Sequence, residues 1–367
     1  MIKTTLAGAF ALALLGGTAS AATWTGGDDL PTSPLACDAT PAAAAAKPYD
    51  GGSPTGAPDR KGKPIKIVDV PKLIGIGYFN ATSKGIADAA KELGNVSAKT
   101  DGPTKANIDE QITFIDNYIT SGVDGILFAA NDPVAIAPVL KKALSKGINV
   151  VGYDANSTPD ARQWFVNQAQ FNGIAKALVD NMAKEAGEDA GVAIVTSTFT
   201  TPNQARWIAE MAAYAEKCHP KLKWLETVEA QEDNNLSFNQ ATTLINKHGD
   251  KLKGIFGMTS VATPASAEAV SQAKQCGKIA VVGLATPNAM KPYVGNGCVK
   301  SVVLWNPVDL GYAAAQVLRA VADGTLKAGD TKVKAGKLGE LQVINGSEIL
   351  LGAPYTFTKD NIGGFDF

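Results

Sequence analysis

The chain has few of the residues on which hydrolases and metalloproteins depend. It contains two histidines, His219 and His248, and four cysteines among 367 residues. The histidines lack the spacing of a ligand pair and no C-x-x-C motif occurs, so we expect no metal site and interpret both histidines as surface residues. The motifs G-x-S-x-G, H-E-x-x-H and G-x-x-x-x-G-K-[ST] are absent. The sequence therefore predicts neither an enzyme nor a cofactor.

Long apolar runs and blocks of basic residues are also lacking. The formal net charge is −1, and no Lys/Arg-rich segment indicates nucleic acid binding. The one pronounced apolar stretch, Leu6 to Leu15, lies between Lys3 and the small-residue motif Ala19 to Ala21, which is typical of an export signal over residues 1–21 that is cleaved before Ala22. No other run approaches the about 18 apolar residues of a spanning helix. We therefore expect a soluble mature protein outside the cytoplasm.

Residues 22–63 differ in composition from the remainder of the chain. They are rich in Ala, Gly, Pro, Ser and Thr and have no sustained periodicity, which predicts a mobile or loosely docked, low-complexity leader. The about 300 residues from Pro64 to Phe367 are long enough for two domains of ordinary size.

The segment from Gly122 to Asn156 is the most informative part of the sequence. Two short apolar runs, Gly125 to Ala130 and Ile148 to Tyr153, flank a helical segment. Parallel strands need a crossover of this kind, because a tight turn cannot restart the chain in the same direction. Similar alternation of helices with strands, among them predicted strands over Ile65 to Tyr78 and Leu222 to Thr227, continues to about residue 323 and predicts an α/β fold with doubly wound parallel sheets.

Polar and aromatic side chains follow the ends of several predicted strands. In open parallel sheets, ligands bind beyond the carboxyl ends of the strands. Amides, hydroxyls, a few carboxylates and aromatic rings together favour a neutral, polyhydroxylated ligand. The predicted ligand-binding residues are Lys72, Phe79, Asn131, Asp132, Asp154, Asn203, Gln204, Trp207, Thr259, Ser260, Trp305 and Asn306.

Several of these residues have an equally good structural explanation. Phe79, Trp207 and Trp305 are expected either to stack on a sugar ring or to belong to the core. For Asp132, binding and a structural role in helix capping or turn formation are equally good interpretations, whereas binding is favoured for Asp154. An acid–base role for these two carboxylates, as in glycoside hydrolysis, is a weaker alternative, because nothing in their spacing requires it.

The four cysteines are expected to form disulfides in an oxidising compartment. Cys276 precedes one predicted strand and Cys298 begins the next, so parallel pairing of these strands would bring both sulfurs to one sheet edge; we predict a bond between them. Cys37 and Cys218 then remain as a pair that would attach the leader to the second lobe. Four cysteines allow three pairings, and the sequence does not choose among them.

Six segments together resemble the type I, ribose-binding-like periplasmic sugar-binding proteins of ABC importers. The resemblance covers Ile65 to Phe367 and includes the rhamnose-binding and autoinducer-2-binding branches. The segments are VPKLIGIGYF (70–79), DGPT (101–104), AANDP (129–133), TPNQARW (201–207), GLATPNAMKPYV (283–294) and LWNPVDLGY (304–312).

The resemblance implies two lobes joined by a three-strand hinge and closing on a sugar. The expected first lobe comprises residues 64–156 and 306–326, and the second comprises 157–305 and 327–367. The implied protein is a monomeric, non-enzymatic solute-binding component that binds a sugar or polyol and delivers it to a membrane permease. An autoinducer-2-type receptor or chemoreceptor protein is the alternative, and a secreted carbohydrate enzyme is disfavoured.

The two branches imply different ligands. Lys72, Asp154 and Gln204 match ligand-contacting positions of the autoinducer-2 receptor, whereas Asn203 stands where that receptor has an aspartate. Further departures occur at Met258, Thr259 and Ser260. The stretches MTSVAT (258–263) and WNPVDLGY (305–312) are more similar to the rhamnose-binding branch. The resemblance therefore favours a monosaccharide or polyol, such as a pentose or deoxyhexose.

Overall fold

The structure is a computed structural model that describes residues 30–40 and 47–367. The predicted export signal lies outside these residues. Within them the chain forms fourteen strands and nine α-helices. The strands are β1 Ile65–Val70, β2 Val96–Thr100, β3 Gly125–Phe128, β4 Asn149–Tyr153, β5 Trp164–Asn167, β6 Gly191–Thr196, β7 Lys223–Glu229, β8 Leu252–Gly257, β9 Ala280–Gly283, β10 Ser301–Leu304, β11 Lys332–Lys334, β12 Glu340–Ile344, β13 Glu348–Leu350 and β14 Tyr355–Thr358. The helices are α1 Gly77–Leu93, α2 Ile108–Ser121, α3 Ala137–Ser145, α4 Phe171–Ala186, α5 Pro202–Cys218, α6 Asn234–His248, α7 Ala262–Gln272, α8 Pro287–Gly295 and α9 Pro307–Ala322.

The first lobe is built on an eight-stranded sheet in the order β11-β12-β13-β5-β4-β3-β1-β2. Strands β1 to β5 and β13 are parallel, and β11 to β13 form an antiparallel meander at one edge. Alternate residues of β1 face two different cores: Ile65 and Ile67 pack in one, Val68 and Val70 in the other. Helices therefore cover both faces of this sheet, because both faces are apolar.

The second lobe has a four-stranded parallel sheet in the order β7-β6-β8-β9. A single parallel bridge between Leu284 and Val303 connects it to the antiparallel pair β10 and β14. The predicted α/β fold with two parallel-sheet lobes is confirmed.

The chain passes between the two sheets three times, but not all the lobe boundaries fall where the sequence predicts them. Residues 157–167 and 327–350 belong to the first lobe, because β5 pairs with β4, and β13 pairs with β5. Assigning these residues to the second lobe is wrong. Three of the four strands in these two segments have only three or four residues, too few for a recognisable alternating pattern, so the sequence did not indicate which sheet they join. The crossings lie at about residues 168–170, 305–306 and 351–354.

The described part of the leader is docked more firmly than predicted. Residues 47–63 run along the first lobe, where the Tyr49 hydroxyl donates to the Gln163 carbonyl at 2.9 Å and Arg60 Nε donates to Asp124 at 2.9 Å. The small residues permit close packing: a Cβ at Gly52 would lie 2.4 Å from the Asp160 carbonyl oxygen. The expectation of a mobile or loosely docked segment is therefore wrong for residues 47–63, since glycine brings the two backbones together.

Two disulfides join distant parts of the chain. The predicted bond between Cys276 and Cys298 is present, with Cα atoms 4.7 Å apart. Cys37 pairs with Cys218 at the end of α5, with Cα atoms 5.5 Å apart, and attaches the leader to the second lobe. Across residues 30–40 and 47–367, no helix has the length and apolarity needed to span a membrane.

Candidate functional site

Most of the predicted site residues line a small cavity between the lobes. The inner cavity has a volume of about 30 Å³. It lies beyond the carboxyl ends of β1 and β4 in the first lobe and of β6, β7 and β8 in the second. Nine of the twelve predicted residues line it, together with side chains that the sequence did not single out. The predicted residues are Lys72, Phe79, Asp154, Asn203, Gln204, Trp207, Thr259, Ser260 and Trp305; the others are Ile76, Tyr78, Glu232, Met258, Leu284 and Leu304.

Three charged groups from both lobes meet in the wall of the inner cavity. Lys72 Nζ lies 3.4 Å from Asp154 Oδ2 and 3.3 Å from Glu232 Oε1, and all three residues are buried. Gln204 Nε2 donates to the same Glu232 oxygen at 3.3 Å. One lysine between two carboxylates leaves a net charge of −1, which suits a ligand that donates hydrogen bonds from hydroxyl groups.

The ammonium group of Lys72 is held in its charged form. Burial alone would lower the pKa of Lys72, but the adjacent carboxylates of Asp154 and Glu232 outweigh burial, and the pKa lies above its ordinary value. Tyr78, whose hydroxyl donates to Asp154 Oδ1 at 2.9 Å, has its pKa raised well above 10 by burial and then by the charge of Asp154. It therefore acts as a neutral donor at physiological pH.

An aromatic cluster forms another part of the wall. Trp305 Nε1 donates to the Tyr78 hydroxyl at 2.9 Å, and its ring centroid lies 5.6 Å from that of Trp207. Lys72 Nζ lies 5.8 Å from the centroid of the Phe79 ring. Phe79 is part of α1, which begins at Gly77, so the prediction that strand β1 extends to Tyr78 is wrong: β1 ends at Val70.

Two carboxylate residues of the cavity wall have an unusual backbone conformation. Asp154 has φ of 59° and Glu232 has φ of 55°, in the left-handed region that costs energy for residues other than glycine. Such conformations persist where the surrounding structure enforces them, and they cluster at functional sites. In both cases the turn follows a strand and directs a carboxylate toward Lys72.

Three predicted residues do not line the inner cavity. Asn131 donates to the Lys72 carbonyl at 2.8 Å, so it supports the backbone of a cavity residue. Asp132 Oδ1 accepts from the N–H groups of residues 134 and 135 at 2.9 and 2.8 Å, and Asn306 Oδ1 caps α9 by accepting from residue 308 at 2.9 Å. Turn formation thus explains Asp132, and helix capping explains Asn306, in structural terms.

Two polar residues of the cavity wall, Tyr78 and Glu232, are missing from the predicted set. Tyr78 was assigned to a strand, although it lies on the first turn of α1. Glu232 follows β7, which runs to Glu229, whereas the sequence predicts a strand ending at Thr227. A strand carried two residues further would have placed the polar run from Gln231 to Asn234 at the same sheet edge as the other candidates.

Two α/β lobes that close on a polar cavity between their strand ends define a solute-binding protein of the type I periplasmic class. A family model described as a periplasmic binding protein domain matches residues 67–326, and the chain belongs to this family. Its members are binding proteins rather than enzymes, and the resemblance predicted from sequence is confirmed.

Individual relatives agree with this assignment. The D-ribose/D-allose-binding protein of Pseudomonas aeruginosa is 29% identical over 203 residues, which cover 53% of this chain and 62% of that protein, less than two thirds of its length. A sugar ABC transporter protein from Actinomyces odontolyticus is 31% identical, with a TM-score of 0.67, over 85% of this chain and 100% of that one. An ABC transporter solute-binding protein from Clostridium phytofermentas, solved with L-rhamnose, is 28% identical, with a TM-score of 0.77, over 82% and 98%.

Proposed function

We propose that this chain is the periplasmic solute-binding protein of an ABC importer. It binds a monosaccharide or polyol, such as a pentose or deoxyhexose, between the lobes and delivers it as a monomer to the membrane permease. Relatives named for ribose and allose, and a similar structure with bound L-rhamnose, support a sugar as the ligand. Two disulfides support an oxidising compartment, and the N-terminal sequence supports export with cleavage before Ala22.

The observation that carries this proposal is a set of buried polar groups in the cavity wall that have hydrogen-bonding capacity to spare. Within the described residues, Trp207 Nε1 has no hydrogen-bond acceptor, and Asp154 Oδ2 forms the ion pair with Lys72 but accepts no hydrogen bond. Buried groups of this kind are costly unless a partner satisfies them. Asp154 comes from the first lobe and Trp207 from the second, so a polyol hydroxyl network placed between them would satisfy both at once.

Lobe closure links binding to recognition by the permease. A cavity of about 30 Å³ has room for about one water molecule, so the lobes must separate before a sugar enters. The sugar then favours the closed arrangement, because only there does it contact both lobes. A micromolar affinity, about −8 kcal/mol, lies within reach of a sugar of about ten heavy atoms.

An autoinducer-2-type ligand is the second candidate. One observation favours it: the wall of the inner cavity contains Lys72, Asp154 and Gln204, the residues that match the receptor positions. Asn203, Met258 and Ser260, which differ from that receptor, line the same cavity and favour a sugar or polyol instead. A role in chemoreception is compatible with either ligand.

Calorimetry and thermal shift against pentoses, deoxyhexoses, polyols and autoinducer-2 test the function. We expect one class to raise the melting temperature, to bind with measurable heat and to be recovered unchanged. Asp154→Ala removes a hydrogen-bonding carboxylate and is expected to weaken the affinity for that ligand at least about tenfold. Unaltered affinity in this variant would show that the site assignment is wrong, and product formation would show that the chain is an enzyme.

A further inference from the structure

A second cavity lies beside the inner one and differs from it in chemistry. This outer cavity has a volume of about 540 Å³. Its lining comes from the leader, from the first lobe and from the second lobe, and much of it is apolar or aromatic. The apolar and aromatic lining residues include Leu30, Pro133, Val134, Phe171, Phe199 and Pro202.

Exposed apolar side chains concentrate at this cavity. Among residues 30–40 and 47–367, four large hydrophobic side chains are exposed: Leu30, Val134, Phe199 and Tyr355. The first three, which are 36%, 70% and 37% exposed, line the outer cavity. They come from three separate chain segments, so their proximity does not result from one apolar stretch of sequence. An exposed apolar patch of this kind indicates a binding surface.

The two cavities share part of their walls. Asp154 and Asn203 line both of them. The two cavities therefore adjoin at these two residues. Leu30 also lies upstream of residues 67–326, the part of the chain that the family model matches, so this wall is a feature of the chain outside the common family domain.

A bare sugar does not explain the outer cavity. Sugar hydroxyl groups gain nothing from Leu30, Val134 or Phe199, whereas an apolar ring removes these side chains from water. The volume of the outer cavity falls in the range of small-molecule sites. Because the two cavities adjoin at Asp154 and Asn203, a ring attached to the sugar is favoured over a separate molecule or a protein partner.

We propose that the ligand of this protein is a glycoside, with the sugar ring held in the inner cavity and an aromatic aglycone held in the outer one. This inference rests on the proposed function and names its substrate class. Phe199 and Val134 bracket the aglycone from opposite lobes, so the aglycone adds a further contact that exists only in the closed arrangement.

Calorimetry with matched glycosides tests the proposal on the full mature protein. The free sugar, its methyl glycoside and its phenyl glycoside are compared for the same sugars and anomers used in the function test. We expect the phenyl glycoside of the best sugar to bind at least about tenfold more tightly than the methyl glycoside, which corresponds to burying one aromatic ring. Equal or weaker binding of the phenyl glycoside overturns the proposal and leaves the proposed function intact.

Variants locate the aglycone. Phe199→Ala and Val134→Ser change exposed side chains. Each variant is expected to reduce the ratio of phenyl-glycoside to methyl-glycoside affinity at least about threefold, while the affinity for the methyl glycoside stays within about twofold of the parent value. The matched control is Tyr355→Ala, an exposed aromatic residue outside the cavity, which is expected to change neither. A phenyl advantage that survives both cavity variants places the ring elsewhere and overturns the proposal. Failure of every sugar and glycoside to bind removes the proposed function, and the inference falls with it.

Discussion

Two neighbouring residue pairs, formed by the same two chain segments, differ in their electrostatics. Asp69 in β1 accepts from the hydroxyl of Tyr153 in β4 at 3.0 Å, inside the first lobe. Only three residues after Asp69, Lys72 pairs with Asp154, the residue after Tyr153, at the boundary between the lobes. One pair joins a carboxylate to a neutral hydroxyl, and the other joins a carboxylate to a cation.

The two environments have different consequences for charge. Burial raises the pKa of Asp69 to about 7, although hydroxyl donors from Tyr153 and Thr100 offset part of that effect. Within the described residues no lysine, arginine or histidine forms an ion pair with Asp69. The two segments thus place one acid within the sheet and another just beyond a strand end, and only the second, beside Lys72, lies in the wall of the inner cavity.

Removing the cation should have the largest effect. Lys72→Met leaves Asp154 and Glu232 buried without their partner, so the free energy of unfolding is expected to fall by about 3–5 kcal/mol and ligand binding to be lost. Urea denaturation and calorimetry measure the two effects. Lys84→Met is the control, because the Lys84–Asp88 pair is exposed and should contribute less than about 1 kcal/mol. A Lys72→Met protein as stable as the parent would contradict the electrostatic role of Lys72.

Asp69→Asn should change the pH dependence of stability. The folded-state pKa of about 7 lies above the ordinary 3.8, so the folded protein retains a proton that the unfolded chain loses. The resulting stability is complete below about pH 4 and is lost as the pH rises through 7, by at most about 4 kcal/mol. Asn cannot ionise, and we expect the variant to lose less stability than the parent between pH 5 and pH 8. Parallel urea-denaturation profiles for the two proteins would refute this.

Two tyrosine variants sharpen the contrast between the pairs. Tyr78→Phe deprives Asp154 of a donor and Trp305 of an acceptor, and should cost about 1–2 kcal/mol of stability together with weaker ligand binding. Tyr153→Phe removes a donor to Asp69 instead, so it should lower stability without changing affinity. Denaturation and calorimetry on both variants measure these effects. If the two variants bind the best ligand with equal affinity, Tyr78 does not position Asp154.

Asp132→Ala should have the smallest effect. Asp132 supports the turn before α3, and its loss should cost about 0.5–1 kcal/mol while leaving the affinity for the free sugar within about twofold. Asp132→Asn keeps the acceptor and serves as the control for stability. A tenfold loss of sugar affinity in the alanine variant would place Asp132 in the site after all.

The sequence predicted the fold better than the site because different signals support them. The strand–helix alternation and the run from Gly122 to Asn156 indicated parallel sheets, and the strand-end rule located Lys72 and Asp154. Glu232 was missed because its importance depends on pairing across the lobes, which no local pattern encodes. The same holds for β11 to β13, whose place in the first sheet is set by pairing with β5 rather than by their own residues.

The bond between Cys37 and Cys218 has a practical consequence for handling the protein. A peptidase cut between Cys37 and Lys47 would separate the chain into two polypeptides that remain covalently joined through this bond. Electrophoresis without a thiol would then show a single species of nearly unchanged mass, and the nick would become visible only after reduction. A purification tag fused ahead of Cys37 would likewise remain attached to a nicked protein, so retention on an affinity column would not prove that the backbone is intact.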